Sequence, residues 1–373
     1  MHQLSNGHDM LTSHRLSRSN QAHDLKPSPP PADASMDDTL RALFRPTIPA
    51  FDGSFETVDG TFFTIDHPAE WTTPLGNSLC IVNTDTRPMN DTDQPWASGT
   101  TAFNWRDVSG WTGAGYLNQY LYSRIHGYRY IYVQTAVPAG YSGAWARPGA
   151  WHHVFDTTDC RIVVYADSDV IYANLNVPFE WMLNHWNIPA NSSSITMSLE
   201  PIHVPGWDLT DQFGKQSQNP GFTVIHNAPG SDIIPRMLTK WANCLSESDY
   251  PGCARLKKDW PAEMGGFNDY VRHDPEFGGI VHKIPCAEAL GWPEWDTECK
   301  GLFLRHYTLE KGLVKPGIEE ALARPLLSAL QKDMVRHKAV LFDEQVGENW
   351  VGAAKESVQE EGKQVKVEEV TAP

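Results

Sequence analysis

Two aspartates one residue apart, Asp167-Ser168-Asp169, follow the run Ile162-Val163-Val164-Tyr165-Ala166 and precede Val170-Ile171. Carboxylates in so apolar a setting are partly desolvated unless a cation pairs with them. A turn between them can bring both onto one hard cation. Acidic residues at strand ends also start turns and cap helices, so the pair alone is a short motif with two readings. Three other polar residues invite the same double reading. Asn219 opens a Gly-containing turn, Asn219-Pro220-Gly221-Phe222, where its amide can meet a ligand hydroxyl or close the turn. Glu263 is a carboxylate before a helix, suited to acid–base work or to the first helical turn. His306 beside Tyr307 is either a metal ligand or an ordinary core or surface histidine.

The elements that must position these residues read as alternating strand and helix. Ser78-Leu79-Cys80-Ile81-Val82-Asn83 is a buried strand whose carboxyl end, with Thr84 and Asp85, faces a crevice. Apolar residues at helical spacing run from Tyr116 to His126 and stop at Gly127, and a β-branched and aromatic strand follows from Tyr128 to Val133. With the strand ending at Ala166 this progression predicts an α/β fold, a mostly parallel central sheet flanked by helices. Ligands of such sheets bind beyond the carboxyl ends of the strands, where Asp167 falls.

Residues 1–45, polar and ending near Pro29-Pro30-Pro31, read as a disordered arm, and 345–373, with Lys and Glu interleaved, as a solvated tail. The catalytic body is expected over 46–315. A helical extension over 316–344 is expected to kink or break at Pro325 and to pack its apolar stripe on the body.

A formal net charge of −16 excludes a general nucleic-acid binder, and a phosphorylated ligand would need a metal ion or placed basic side chains to enter that field. None of the six cysteines has C-x-x-C spacing, which argues against a zinc site. Cys244 with Cys253 and Cys286 with Cys299 can close short loops in an oxidising compartment, or all can be free buried thiols. The 14 tryptophans line sugar sites or fill the core, the second being the commoner use. No stretch is long and apolar enough to span a bilayer. Asn90 and Asn191 begin N-glycosylation sequons.

The blocks Val164-Tyr165-Ala166-Asp167-Ser168-Asp169-Val170-Ile171 and Val177-Pro178-Phe179-Glu180-Trp181-Met182-Leu183-Asn184 resemble the core of fungal nucleotide-diphospho-sugar transferases related to the galactosyl- and mannosyltransferases. Arg124-Ile125-His126-Gly127-Tyr128, Asn219-Pro220-Gly221-Phe222, Tyr250-Pro251-Gly252-Cys253, Asp259-Trp260-Pro261-Ala262-Glu263 and Leu304-Arg305-His306-Tyr307 resemble further blocks of that family in the same order, over roughly residues 70 to 315. The resemblance implies a GT-A-type single domain and a glycosyltransferase (hexosyl- or pentosyltransferase). It also implies a nucleotide-sugar donor, an acceptor of unknown kind, and Mn²⁺ or Mg²⁺. On it Asp167, Asp169 and His306 are the metal ligands, and Glu263 and Asn219 the residues nearest the transferred sugar. Asn83, Thr84, Asp85, Arg124, Tyr128 and Ser168 border the nucleotide. Members are commonly anchored in the Golgi by an N-terminal helix, which this chain does not show.

Two departures stand out. Met264-Gly265-Gly266 replaces residues better suited to a helix, and His152-His153 lies where the family tends to place a lysine. A non-catalytic nucleotide-sugar binder on the same fold is therefore the competing expectation. A metal-dependent phosphohydrolase ranks behind it for want of a second cluster of His and Asp.

Overall fold

The computed structural model describes residues 35–44, 51, 53–56, 61–90, 94–97, 104–107, 110–202, 204–292 and 298–341. Most of the expected N-terminal arm and all of the 345–373 tail lie outside them. In chain order the elements are α1 (Met36–Phe44), β1 (Ser54–Glu56), β2 (Phe62–Thr64), β3 (Leu79–Asp85), α2 (Gly110–His126) and β4 (Arg129–Gln134). There follow α3 (Ala146–Thr157), β5 (Ile162–Ala166), β6 (Val170–Tyr172), α4 (Phe179–His185), β7 (Ser194–Leu199) and β8 (Gln218–His226). The last are α5 (Ile233–Ala242), α6 (Ala262–Asp269), β9 (Val281–Ile284), β10 (Ala289–Leu290), β11 (Leu304–His306), α7 (Val314–Arg336) and α8 (Lys338–Leu341).

The fold is α/β. Six strands form one sheet in the order β4-β3-β5-β8-β7-β9, and only β8 runs against its neighbours. Both faces of this sheet are covered, which is why its central strands read as continuous apolar runs rather than alternating ones. Leu79, Ile81, Ile162 and Val164 point into a core completed by Tyr122 and Ile125 of α2 and Phe179 of α4. Cys80, Val82, Val163 and Tyr165 point to the opposite face, onto Trp151 and Val154 of α3 and Met237, Leu238 and Trp241 of α5. A small sheet, β10-β11-β6, is set beside the carboxyl end of β5.

Several expectations are corrected. Residues 36–44, assigned to the disordered arm, form α1, whose Phe44 is buried and whose Asp37 pairs with Arg124 at 2.6 Å. Pro325 does not end its helix, which runs unbroken from Val314 to Arg336. The first turns of α7 bury Val314, Ile318 and Ala321, but Leu327, Leu330 and Met334 are exposed, so the apolar stripe packs on the body only at its start. Free thiols are ruled out. Both short-loop pairings form, and Cys80 of β3 bonds Cys160, just before β5, across 80 residues. Among the described residues no helix is long and apolar enough to cross a membrane. Asn191 is exposed; Asn90 is exposed too, but the rest of its sequon lies outside the described residues.

The connection between β7 and β8 is held by one buried charge cluster. Asp211, its side chain fully buried, accepts from Arg272 (2.5 Å), His273 (2.6 Å) and the backbone N–H groups of Phe213 (2.9 Å) and Lys215 (2.8 Å). Burial alone would raise its pKa, but the bonds from His273, Arg272 and the backbone outweigh it and hold the carboxyl down to about 2. A depressed carboxylate stabilises above its unfolded pKa of about 3.9 and loses that contribution as pH falls through the folded value. Asp211→Asn, which leaves the Arg272 guanidinium buried without its counter-charge, is expected to cost about 3–5 kcal/mol in urea unfolding at pH 7. The difference from the parent should shrink toward pH 2.

Candidate active site

β5 ends at Ala166 and the chain turns through Asp167-Ser168-Asp169, closed by the Val170 N–H on the Asp167 carbonyl (3.0 Å), before β6 resumes. Three elements fix this turn. From β8, the Gly221 carbonyl accepts the Asp167 N–H at 2.8 Å. From α2, Gln119 Nε2 donates to the carbonyls of Asp167 (2.7 Å) and Val170 (2.8 Å), and Asn118 Oδ1 accepts the Tyr172 N–H (2.7 Å). One turn earlier on α2, Gly115 lets the helix backbone come up against the turn: a Cβ there would lie 1.9 Å from the Ser168 carbonyl oxygen. From the far end of the chain, β11 pairs antiparallel with β6, His306 opposite Val170, and the Tyr307 N–H donates to the Asp169 carbonyl (3.0 Å).

That register delivers the His306 ring to the acidic pair. Its Nε2 lies 3.3 Å from Asp169 Oδ1 and 4.0 Å from Asp167 Oδ2. Burial by itself would lower the imidazole pKa, but Asp169 and then Asp167 reverse this and raise it. Burial would likewise raise Asp169, and the charges of His306 and Lys311 turn the shift downward. Lys311 Nζ binds Asp169 Oδ2, and Arg147, the second residue of α3, binds both Asp167 (2.6 Å) and Glu263. Glu263 is fully buried on α6, and desolvation raises its pKa against the opposing charge of Arg147. The turn thus carries two carboxylates among three basic side chains.

These groups open into a cleft of about 300 Å³. Asp167, Ser168, Asp169, Arg147 and Lys311 line it together with Thr84, Asp85, Arg87, Trp111 and Tyr116. Asp85 is held by Arg87 (2.6 Å) and by the Tyr116 hydroxyl (2.7 Å), and Lys311 Nζ stands 4.6 Å from the centre of the Trp111 ring. Cations beside aromatic faces, next to a metal-competent carboxylate pair, make a surface able to take both a ring and a phosphate.

Of the residues singled out in sequence, Asp167, Asp169, His306 and Glu263 converge, and Thr84, Asp85 and Ser168 line the cleft. Asn83, Arg124 and Tyr128 do not. Asn83 is fully buried and binds Gln119, the Ala166 carbonyl (2.9 Å) and the Tyr130 hydroxyl (2.5 Å). Arg124 pairs with Asp37 and the Tyr120 hydroxyl, and the Tyr128 hydroxyl donates to Glu180 (2.5 Å). Asn219 is part of strand β8, not a turn. Its amide is engaged on Glu200 (2.6 Å) and the Gly221 N–H (2.7 Å), beneath Asp167 and His306. His152 pairs with Asp156 at 2.8 Å; the basic residue that α3 supplies to the cleft is Arg147.

No protein-family model matches this chain, and no curated protein matches it in sequence. Among solved structures it is similar to a glycosyltransferase involved in the glycosylation of the major capsid of PBCV-1, with 13% identity over 65% of this chain and 98% of that one and a TM-score of 0.43. It is also similar to the galactosyltransferase LgtC in complex with donor and acceptor sugar analogs, with 12% identity, 65% and 95% coverage and a TM-score of 0.35. Both likenesses are of low degree, and the site geometry stands without them.

The contact at Gly115 yields a test with an unusual sign. Alanine in an exposed helix interior is normally about 1 kcal/mol more stable than glycine. Gly115→Ala should instead destabilise by about 1–3 kcal/mol in denaturant unfolding, because the new methyl must push α2 from the turn. Unchanged or higher stability would show that α2 does not bear on the acidic pair.

Proposed function

We propose that this chain is a GT-A-type glycosyltransferase that moves a sugar from a nucleotide-sugar donor to an acceptor hydroxyl, with Mn²⁺ or Mg²⁺ held by Asp167, Asp169 and His306. The observation that carries this reading is the convergence of those three residues, from β5 and β11, at a cleft that also presents Arg147 and Lys311. The ordered sequence blocks from Arg124 to Tyr307 support it independently.

The donor set fits such an ion. Ligands on an octahedral ion at about 2.1 Å stand about 3 to 4.2 Å from one another. The His306-to-carboxylate separations of 3.3 and 4.0 Å fall within that range. His306 Nε2, 3.3 Å from Asp169 Oδ1, is the ring nitrogen that would face the ion, and Nδ1 on the other side of the ring is buried with no hydrogen-bond partner. A divalent ion bound there supplies Lewis-acid neutralisation of the charge on a leaving diphosphate.

The chain's own residues do the rest. Arg147 and Lys311, already paired with the carboxylates, offer further positive charge to phosphate oxygens, which an acidic protein must supply locally. Asp85 and Thr84 face the ribose and base, with Trp111 and Tyr116 as apolar walls. Glu263, buried behind Arg147 and outside the cleft lining, acts as a positioning residue that orients Arg147 toward the donor, and Asn219 acts as one that holds β8 under His306.

Isothermal titration of the full chain with UDP and GDP, with and without Mn²⁺, is expected to show binding only with the metal. Asp169→Asn should weaken it at least about 100-fold, about 2.8 kcal/mol. No metal-dependent binding of either nucleotide would refute the reading. Mass spectrometry across a donor panel separates a transferase, which leaves a glycosylated or hydrolysed product, from a binder that leaves none.

A further inference from the structure

A second cavity, of about 280 Å³, lies against α6. Glu263 of that helix faces Arg147, whereas its neighbour Met264 lines the second cavity together with Trp260 and Pro261. Asp208, Thr210 and Arg255 supply polar groups to the same cavity. Met264 and Gly265 of the departure noted in the sequence therefore fall on this wall, whereas Gly266 faces Trp145. A Cβ on Gly265 would stand 2.8 Å from Pro261 Cγ, so glycine is what lets α6 seat against the Trp260-Pro261 step.

The aromatic residues here differ from the tryptophans of the core. Trp145, Trp151, Trp181 and Trp241 are buried in the core, but Trp260 is 58% and Trp207 42% exposed. Leaving such rings in water forgoes about 1.5–3 kcal/mol of burial for each large apolar side chain. They are nonetheless held in place. The Trp207 ring meets Trp260 edge-on at 5.4 Å and 85°, and rests on the buried Trp292 at 6.0 Å. Trp292 Nε1 in turn donates to Glu200 Oε2 (3.1 Å), whose other oxygen takes the Asn219 amide (2.6 Å). The platform is thus connected by direct contacts to the strand beneath His306.

We propose that this cavity, with Trp260 as its aromatic wall and Trp207 bracing that ring edge-on, is a binding site for one residue of a neutral saccharide, and that, on the glycosyl-transfer reading above, this saccharide is the acceptor. A pyranose presents an apolar C–H face and a rim of hydroxyls. The Trp260 indole, fixed by its perpendicular neighbour Trp207, matches the face, and the carboxylate, hydroxyl and guanidinium of Asp208, Thr210 and Arg255 match the rim. Arg255 is already paired with Asp269 at 2.5 Å and Asp208 adds a further carboxylate to the rim, which disfavours an anion and selects an uncharged sugar over a phosphorylated one. The volume is at the lower end of small-ligand sites, enough for one sugar ring. A pre-set aromatic wall also lowers the ordering cost of a weakly held ligand.

Saturation-transfer NMR on the full chain, with the methyl α-glycosides of mannose, galactose and glucose as probes, tests the proposal. At least one should bind. Trp260→Ala and Trp207→Ala should each weaken it about tenfold or more, while Mn²⁺-dependent nucleotide binding and the circular dichroism spectrum stay as in the parent. Asp169→Asn should show the reverse, nucleotide binding lost and sugar binding kept. Failure of all three glycosides to bind the parent, or equal binding by the parent and both tryptophan variants, overturns the proposal. Sugar binding that depends on Trp260 in a chain with no metal-dependent nucleotide binding upholds the saccharide site and removes the donor reading instead.

Discussion

Two carboxylates one residue apart, at the end of a strand buried on both faces, cannot stay ionised without compensating positive charge, and much of the structure around β5 can be understood as supplying it. Asp169 is only 3% exposed, and yet its pKa is lowered rather than raised. The compensation comes from three separate parts of the chain: Arg147 at the start of α3, His306 at the end of β11, and Lys311 just after it. Without them the turn would have to protonate or open.

The same constraint explains features that otherwise look incidental. α2 presents Gly115, Asn118 and Gln119 to the turn, one close approach and two amides at helical spacing, where a core-facing helix would ordinarily present aliphatic side chains. The short sheet β10-β11-β6 exists on the scale of two or three residues per strand, enough to set the register that brings His306 alongside Asp169. Gly221 of β8 leaves room where His306, Asn219 and Asp167 crowd together, since a Cβ there would lie within 2.9 Å of all three. In a chain of net charge −16 this local gathering of basic groups offsets the negative field at the cleft.

How much of this was legible in the sequence depended on whether a residue's role is set locally. The strands around Ile81 and Val164 were visible because burial on both faces leaves an apolar run, and Asp167 and Asp169 were visible as the place where that run stops. His306 is legible only through its block resemblance, since nothing nearby in sequence marks a histidine as facing an aspartate 137 positions earlier. Arg147 and Lys311 gave no signal at all: an arginine in a first helical turn and a lysine in a loop are ordinary surface residues until the fold brings them to a buried carboxylate. Arg124 and Tyr128 were misplaced for the converse reason, because a helix-end motif can serve packing, here on α1 and Glu180, as readily as a ligand. The Cys80–Cys160 bond was hidden because its two residues become neighbours only when β3 and β5 pair.

The central claim is that one ion joins the acidic turn, His306 and a diphosphate. Electron–nuclear double resonance on the full chain loaded with Mn²⁺ and UDP addresses it most directly, because nitrogen and phosphorus bound to the same ion each leave a hyperfine signature. The account predicts a ¹⁴N coupling that disappears in His306→Ala and a ³¹P coupling that appears only with the nucleotide. Bound Mn²⁺ that shows neither coupling, or a ¹⁴N coupling that survives His306→Ala, would contradict it.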